Sequence, residues 1–364
     1  MSRRLFSRRD FLKGAGLTFA ASLSPAHAFA LDNTDAVFAS AYADADGRYG
    51  AAILSETGKI IAKIPLPARG HDVTHHTATG NAVVFARRPG TIAVAFDRQM
   101  RHPPREITAS PGRHFYGHGV FSSDGRLLYA SENDFDNAEG VIGVYDVGAA
   151  YRRVGEFPSG GTGPHDMLLI DNGRTLAIAN GGIETHPDFG RAKLNISTMQ
   201  PNLSFVDPEN GSIVERQALP QTLHQLSIRH LADAGDGGVF FACQYEGAPQ
   251  HTPALFGRAR PGQPLKLFET ERKRLVRFKN YIGSIAAEPQ AGTVTVTSPR
   301  GGYLMVVDAT NGTFVAEHGH LNVCGVAENG TSYLATTGNG VIFDTANRFI
   351  DTGDLRWDNH LTRL

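Results

Sequence analysis

The sequence predicts an all-β fold: a seven-bladed β-propeller of four-stranded blades, its ring closed by the C-terminal strand joining the N-terminal blade. Three observations predict it. Short β-rich runs alternate with Gly, Pro, Asn and Asp turns from Ala36 onward, without long helical periodicity. These runs recur in units of about 40–60 residues, which is the signature of a propeller blade. The two chain ends carry what look like complementary fragments of one further blade.

Composition agrees and removes several classes. Of 364 residues, 41% are hydrophobic, enough for a sizeable core and too many for a disordered chain. Setting aside residues 1–28 leaves 30 basic against 35 acidic side chains, which argues against a nucleic-acid binder. Two cysteines exclude a disulfide-rich scaffold and a four-thiolate zinc site. An oxidising compartment would permit a Cys243–Cys324 disulfide, but sequence alone supplies no sulfur–sulfur distance.

Residues 1–28 read as an export signal, leaving 29–364 as a single propeller domain. Arg3, Arg4, Arg8 and Arg9 precede an apolar run from Gly14 to Leu23, and Ala26-His27-Ala28 offers a small-x-small cleavage site. Ser7-Arg8-Arg9-Asp10-Phe11-Leu12-Lys13 resembles the twin-arginine translocation motif. About ten apolar residues cannot span a ~30 Å hydrocarbon core, so the segment is not a membrane anchor. The expectation is a periplasmic protein without stable membrane insertion after signal cleavage. Export in the folded state raises the prospect of a bound metal or cofactor.

The blades follow in order. The stretch 36–66 holds only three strand-like runs. Innermost strands then open at His71-Asp72-Val73, His118-Gly119-Val120, His165-Asp166-Met167 and His224-Gln225-Leu226, spaced by 47, 47 and 59 residues. Two further units open at Gly283-Ser284-Ile285 and Cys324-Gly325-Val326, where the histidine is replaced. The tail Arg356-Trp357-Asp358-Asn359-His360-Leu361-Thr362 supplies the missing innermost strand of the first blade and places His360 where the other histidines fall. Several third strands end in Asp, at Asp97, Asp146, Asp207, Asp308 and Asp344. Insertions at 181–201 and 246–264 interrupt the fourth and fifth blades, the latter around a short third strand expected at Thr252–Phe256. Loops of this length usually carry function.

In such a ring, strand starts and second-to-third loops meet at one channel mouth. The metal-ligand candidates are therefore His71, His118, His165, His224 and His360, with Cys324 closing the circle. Imidazoles at a fixed radius suit iron, copper or zinc, and a thiolate would favour copper or zinc. Arg87, Arg88, Asn133, Asn180, His186, Tyr245 and Arg300 are candidate ligand-binding residues on the loops. The arginines suit the carboxylates of a non-covalent haem or an anionic ferric chelate. Glu132, Glu184 and Glu246 are candidate general bases. A structural reading stands beside this one, because repeated units repeat structural residues too, and a histidine can lock blade to blade through backbone hydrogen bonds.

Arg69-Gly70-His71, Phe85-Ala86-Arg87-Arg88-Pro89-Gly90, Gly117 to Ser122 with Asp124-Gly125-Arg126, Gly163-Pro164-His165-Asp166 and Trp357-Asp358-Asn359-His360, together with the leader, resemble one bacterial family. It is the exported family of domain of unknown function 1513. The resemblance implies a seven-bladed propeller encoded near imelysin-like lipoproteins and di-haem cytochrome-like proteins, in clusters linked to iron acquisition. Three functions stay open. One is a periplasmic protein of iron uptake, holding a metal, haem or ferric chelate, or a partner, at the His-rich mouth. Another is a metal-dependent oxidoreductase or lactonase-like hydrolase using that mouth. The third is a protein-docking scaffold with structural histidines.

Overall fold

The computed structural model describes residues 37–364 apart from Asn347. The expected leader, residues 1–28, and the first residues of the expected domain lie outside the described residues. Seven antiparallel sheets succeed one another along the chain. Blade 1 comprises Val37–Ala43, Tyr49–Ser55 and Ile60–Leu66; blade 2 runs from Gly70–His75 to Arg105–Thr108, and blade 3 from Arg113–Phe121 to Arg152–Pro158. Blade 4 runs from Pro164–Ile170 to Ile213–Ala218, blade 5 from Leu226–Asp233 to Gln263–Leu267, blade 6 from Ser284–Glu288 to Phe314–Gly319, and blade 7 from Val323–Asn329 to Arg348–Asp351.

The apolar runs form strands buried on both faces, because each sheet packs between two neighbours. Burial is nearly continuous along Asn81–Ala86 and Tyr303–Asp308, whereas the outermost strands Arg152–Pro158 and Phe314–Gly319 are mostly solvated. The core is accordingly a series of apolar layers between blades, such as Phe85, Phe115 and Tyr145 between blades 2 and 3. The recurrent aspartates close the third-to-fourth turns. The carboxylates of Asp97, Asp207, Asp308 and Asp344 each accept the backbone N–H two residues on, and that of Asp146 the N–H of Ala149.

The tail closes the ring as the sequence predicts. Arg356–Trp357 and Thr362–Arg363 both pair antiparallel with Val37–Ala43, through Tyr42↔Trp357 and Phe38↔Arg363 among others. Trp357 Nε1 donates to Thr352 Oγ1 at 3.0 Å, and its ring packs edge-on against Tyr42. Between the two short strands, Asp358 N still donates to Ala41 O, and beyond it Asn359 and His360 line the channel.

Two expectations need correction. The third strand of blade 5 is Phe256–Arg260, not Thr252–Phe256, and Gln263–Leu267 is already its fourth strand. The innermost strand of blade 5 opens at Leu226, after a 3-10 turn at Gln221–Leu223 that takes His224 out of the ladder. Cys243 and Cys324 are free buried thiols in separate apolar clusters.

Candidate functional site

Each channel histidine comes from an irregularity in an innermost strand. Ladder register shifts between Gly70 and Val73, Phe115 and Gly119, Pro164 and Asp166, and Ile228 and His230. His71, His118 and His165 lie inside these shifts and His230 at the edge of the fourth; a bulge of this kind re-aims the side chain it releases. His360 occupies the gap between the tail's two strands. Hydroxyls catch the freed carbonyls: Ser131 Oγ donates to His118 O at 3.0 Å and Ser40 Oγ to His360 O at 2.6 Å. Gly117 provides room, since at φ +109° it adopts a backbone unfavourable to other residues, and a Cβ there would meet His71 Cδ2 at 2.6 Å.

The five rings form one cluster. His360 stands edge-on to His71 and His118, with centroids 4.5 and 4.6 Å away. His165 lies 4.7 Å from His118 and 4.8 Å from His230, which is 5.0 Å from His360. Two triads result, His71–His118–His165 and His118–His230–His360, each with candidate ligand atoms within 4.8 Å of one another.

Several of the nitrogens have no partner. Nε2 of His118, both ring nitrogens of His230, Nδ1 of His165 and Nε2 of His360 are buried without a hydrogen-bond partner among the described residues, and His118 Nδ1 meets only the Asp166 and Asp72 carboxylates. Each such group costs about 1–3 kcal/mol. A blade-locking role would pair these rings with backbone, yet the hydrogen bond these rings make among the described residues is from His71 Nδ1 to the Asp358 carboxylate, at 2.9 Å. Because a carboxylate only accepts, His71 carries its proton on Nδ1 and presents the Nε2 lone pair, the arrangement by which carboxylates orient metal-binding imidazoles.

Charge in the cluster is uneven. Burial, and then the neighbouring rings, hold His71, His165 and His230 well below the ordinary histidine range. The same causes bring His360 down to about 4. Burial also works against a charge on His118, but Asp166 and Asp72 prevail and push it up to about 10. Its Nδ1 lies 3.3 Å from Asp166 and 3.4 Å from Asp72, within ion-pair range. Asp72 and Asp166 thus flank His118, and Asp358 flanks His71.

The imidazole layer divides the channel. Towards the second-to-third loops lies a chamber of 280 Å³, with His71, His165 and His230 at its base and Arg87, Arg88, Arg229, Arg300, Tyr116 and Tyr281 around it. Arg191 and Lys193 reach it from the blade 4 insertion. On the other side is a 560 Å³ funnel lined by His118, His230 and His360 with Asp72, Asp166, Glu288 and Glu328. Burial, and then Arg229, bring Arg88 down to about 10, which still leaves it charged at neutral pH.

Of the candidate ligands, His71, His118, His165 and His360 converge, and His224 does not. His224 is half-buried with Nδ1 3.1 Å from Gln221 O, and His230 takes its place in blade 5. Strand spacing carried the signal. In blades 2 to 4 the second strand begins nine or ten residues after the histidine; from His230 the interval is nine, from His224 fifteen. Cys324 lies in an apolar cluster, its Sγ 3.4 Å from Thr336 O, and burial pushes its thiol up to about 12; it belongs to neither triad.

The loop candidates scatter. Arg87, Arg88 and Arg300 line the chamber. Glu132 does not reach it: the carboxylate is fully buried within blade 3, bonded by Tyr145 at 2.5 Å and Arg153 at 2.8 Å. Asn133 Nδ2 donates to Thr185 O, anchoring the insertion, and Asn180 joins Ser159, Asn202 and Ser204 inside blade 4. His186 caps a short turn by accepting from Asp188 N, and Glu184 accepts Leu194 N on its backbone carbonyl while its own N–H donates to Asn195. Tyr245 and Glu246 line a separate cavity shared with Arg300. Sequence reading missed His230, Arg229, Arg191, Lys193, Tyr116 and Tyr281.

The family described as "Protein of unknown function (DUF1513)" matches residues 64–364. No curated protein matches. Among solved structures, the chain is similar to Kuenenia stuttgartiensis hydrazine synthase, with a TM-score of 0.62 and 13% identity over 86% of this chain and 94% of that one. At that identity the likeness extends to the fold alone. Similar folds occur in 1125 solved chains, so the architecture selects no chemistry.

Proposed function

The chain belongs to the DUF1513 family, and we propose that its propeller channel binds a transition-metal ion through His71, His118, His165, His230 and His360. One observation carries the reading: imidazoles from five blades face one another, and four of them hold buried nitrogens with no hydrogen-bond partner among the described residues instead of bonding the backbone. An all-nitrogen donor set suits iron, copper or zinc. Asp358 orients one ligand, and Asp72 and Asp166 beside His118 supply negative charge next to the cluster. The chamber, at 280 Å³, falls just below the roughly 300–1,000 Å³ of ordinary ligand pockets, which speaks for a small anion over a porphyrin.

A role accessory to iron acquisition, twin-arginine export, a periplasmic location and imelysin-like or di-haem cytochrome-like partners belong to the same proposal. The Ser7–Lys13 leader motif and the family resemblance support them.

The test is elemental analysis and a visible spectrum on protein purified from a periplasmic extract without chelators, for wild type and variants. A near-stoichiometric metal is expected in wild type and His224→Ala, and its loss in His118→Ala and His230→Ala. A metal-free wild type that also ignores added Fe, Cu and Zn overturns the reading.

A metal-dependent oxidoreductase is the second reading, favoured by a chamber that opens directly onto the imidazole layer. The hydrolase variant is weaker, because Glu132 is held by Tyr145 and Arg153, and neither Glu184 nor Glu246 lines the chamber. Turnover of redox dyes by metal-loaded protein distinguishes an enzyme from a binding protein.

A further inference from the structure

We propose that the chamber above the imidazole layer binds a small, multiply charged oxyanion through Arg88, Arg229 and Arg300. This deepens the metal-site reading by naming the chemical class of a second ligand, yet the chamber's charge is independent of any metal.

The argument is one of uncompensated charge. Six cationic side chains line 280 Å³: Arg87, Arg88, Arg191, Lys193, Arg229 and Arg300. Some are already committed. Arg87 donates to Asp358 at 3.0 Å, beneath the chamber, and Lys193 pairs with Glu246. The others are little neutralised. Arg88 has no carboxylate in ion-pair range among the described residues, and Arg229 shares Glu246 with Lys193, at the edge of ion-pair range, 3.9 Å. Arg229 is only 9% exposed, with Nε donating to Ser227 Oγ at 2.9 Å. Arg300 stacks on the Tyr281 ring, 4.2 Å from its centroid, a contact that positions a guanidinium without neutralising it. Arg191 binds the backbone carbonyl of Arg88 at 3.2 Å, holding one more cation over the opening.

Like charges held together in a concave, partly desolvated site repel, and the fold maintains them there. A ligand with two or more negative oxygens relieves that repulsion and matches the planar fork of the guanidinium group. The volume limits it to a compact molecule, such as a di- or tricarboxylate or an inorganic phosphate. Its floor is His71, His165 and His230, so the anion would lie against the metal-binding layer. The metal chelate of an organic acid presents this same chemistry.

The experiment is calorimetric titration of oxalate, citrate and inorganic phosphate into full-length mature protein, in chelator-stripped and metal-loaded forms. At least one oxyanion should bind the stripped protein, weakening as salt is raised. Arg88→Gln should lower its affinity by about tenfold or more, with circular dichroism confirming the fold. Arg300→Gln, at the chamber rim, serves if Arg88→Gln does not fold. Preference for carboxylates or for phosphate identifies the source of the oxygens. No heat and no thermal shift with any of the three, or binding unchanged in the folded variant, overturns the inference. Anion binding by a protein that takes up no metal would leave this inference standing and remove the metal site. The reverse result would do the opposite.

Discussion

His71 and Asp358 stand 287 positions apart in the chain, and their side chains meet at 2.9 Å, with Nδ1 donating to Oδ1. Asp358 is 3% exposed and also receives Arg69 at 2.7 Å and Arg87 at 3.0 Å. Burial opposes its ionisation, yet His71 and the two arginines hold its carboxyl far below the usual carboxylate range. One carboxylate from the last residues of the chain thus sets the tautomer of a histidine in blade 2.

Asp358→Asn should therefore weaken metal binding by about 10–100-fold, the usual cost of losing a group that orients a metal-binding imidazole. Asn can offer His71 an acceptor, but it no longer balances Arg69 and Arg87. Competition with a chromophoric chelator measures the change; unaltered affinity would remove Asp358 from the site.

Gly117→Ala tests the space made for His71. The added methyl meets the imidazole at 2.6 Å, on a backbone at φ +109°. Strain of this kind costs about 1–3 kcal/mol, and the ring must move. We expect a lower unfolding midpoint together with weaker metal uptake. Loss of stability alone would place the effect in the blade and not in the cluster.

The metal-free protein should be most stable near neutral pH. Below the ordinary histidine value of 6.5, unfolded chains take up protons that His360 refuses until about 4, so stability falls as pH falls. His118 works in the other direction: its stabilisation is complete below 6.5 and fades as pH rises through about 10. Urea midpoints of chelator-treated protein across this range should trace both limbs. In His118→Gln the alkaline limb should shrink, and an identical limb would contradict the assignment to His118.

Trp357 is the single tryptophan, 3% exposed at the ring closure. Trp357→Ala should cost about 3–5 kcal/mol, as for other buried aromatic truncations. Removal of residues 356–364 should in addition expose the Val37–Ala43 edge and promote association. In wild type, tryptophan emission reports closure directly, and its red shift should coincide with the main unfolding transition. An earlier shift would make the seam an independently opening unit.

Architecture was legible because a propeller writes its period into the chain. Strand runs, turn aspartates and the split first blade are all local patterns, and the ring follows from repeating them. The site was legible only in part. His71, His118 and His165 were found because each begins a unit that looks like its neighbours. His224 falls at the start of its unit as the other histidines do, whereas the fold aligns a bulge within the strand, which carries His230. Of the chamber's six cations, Arg87, Arg88 and Arg300 were legible from the loops they occupy, whereas Arg191 and Lys193 come from an insertion with no counterpart in other blades. Arg229 lay hidden inside a strand. Cys324 occupied the right position in its unit, but blade 7 turns it into an apolar layer.

The placement of His360 bears on the order in which the molecule is made. Blades 2 to 5 contribute their histidines first, and the fifth ring, His360, joins them only when its segment pairs with Val37–Ala43. A nascent or truncated chain holds an incomplete donor set. Metal captured by the full cluster would stabilise the paired segments by an amount that grows with the logarithm of its free concentration, so occupancy would record that the ring had closed.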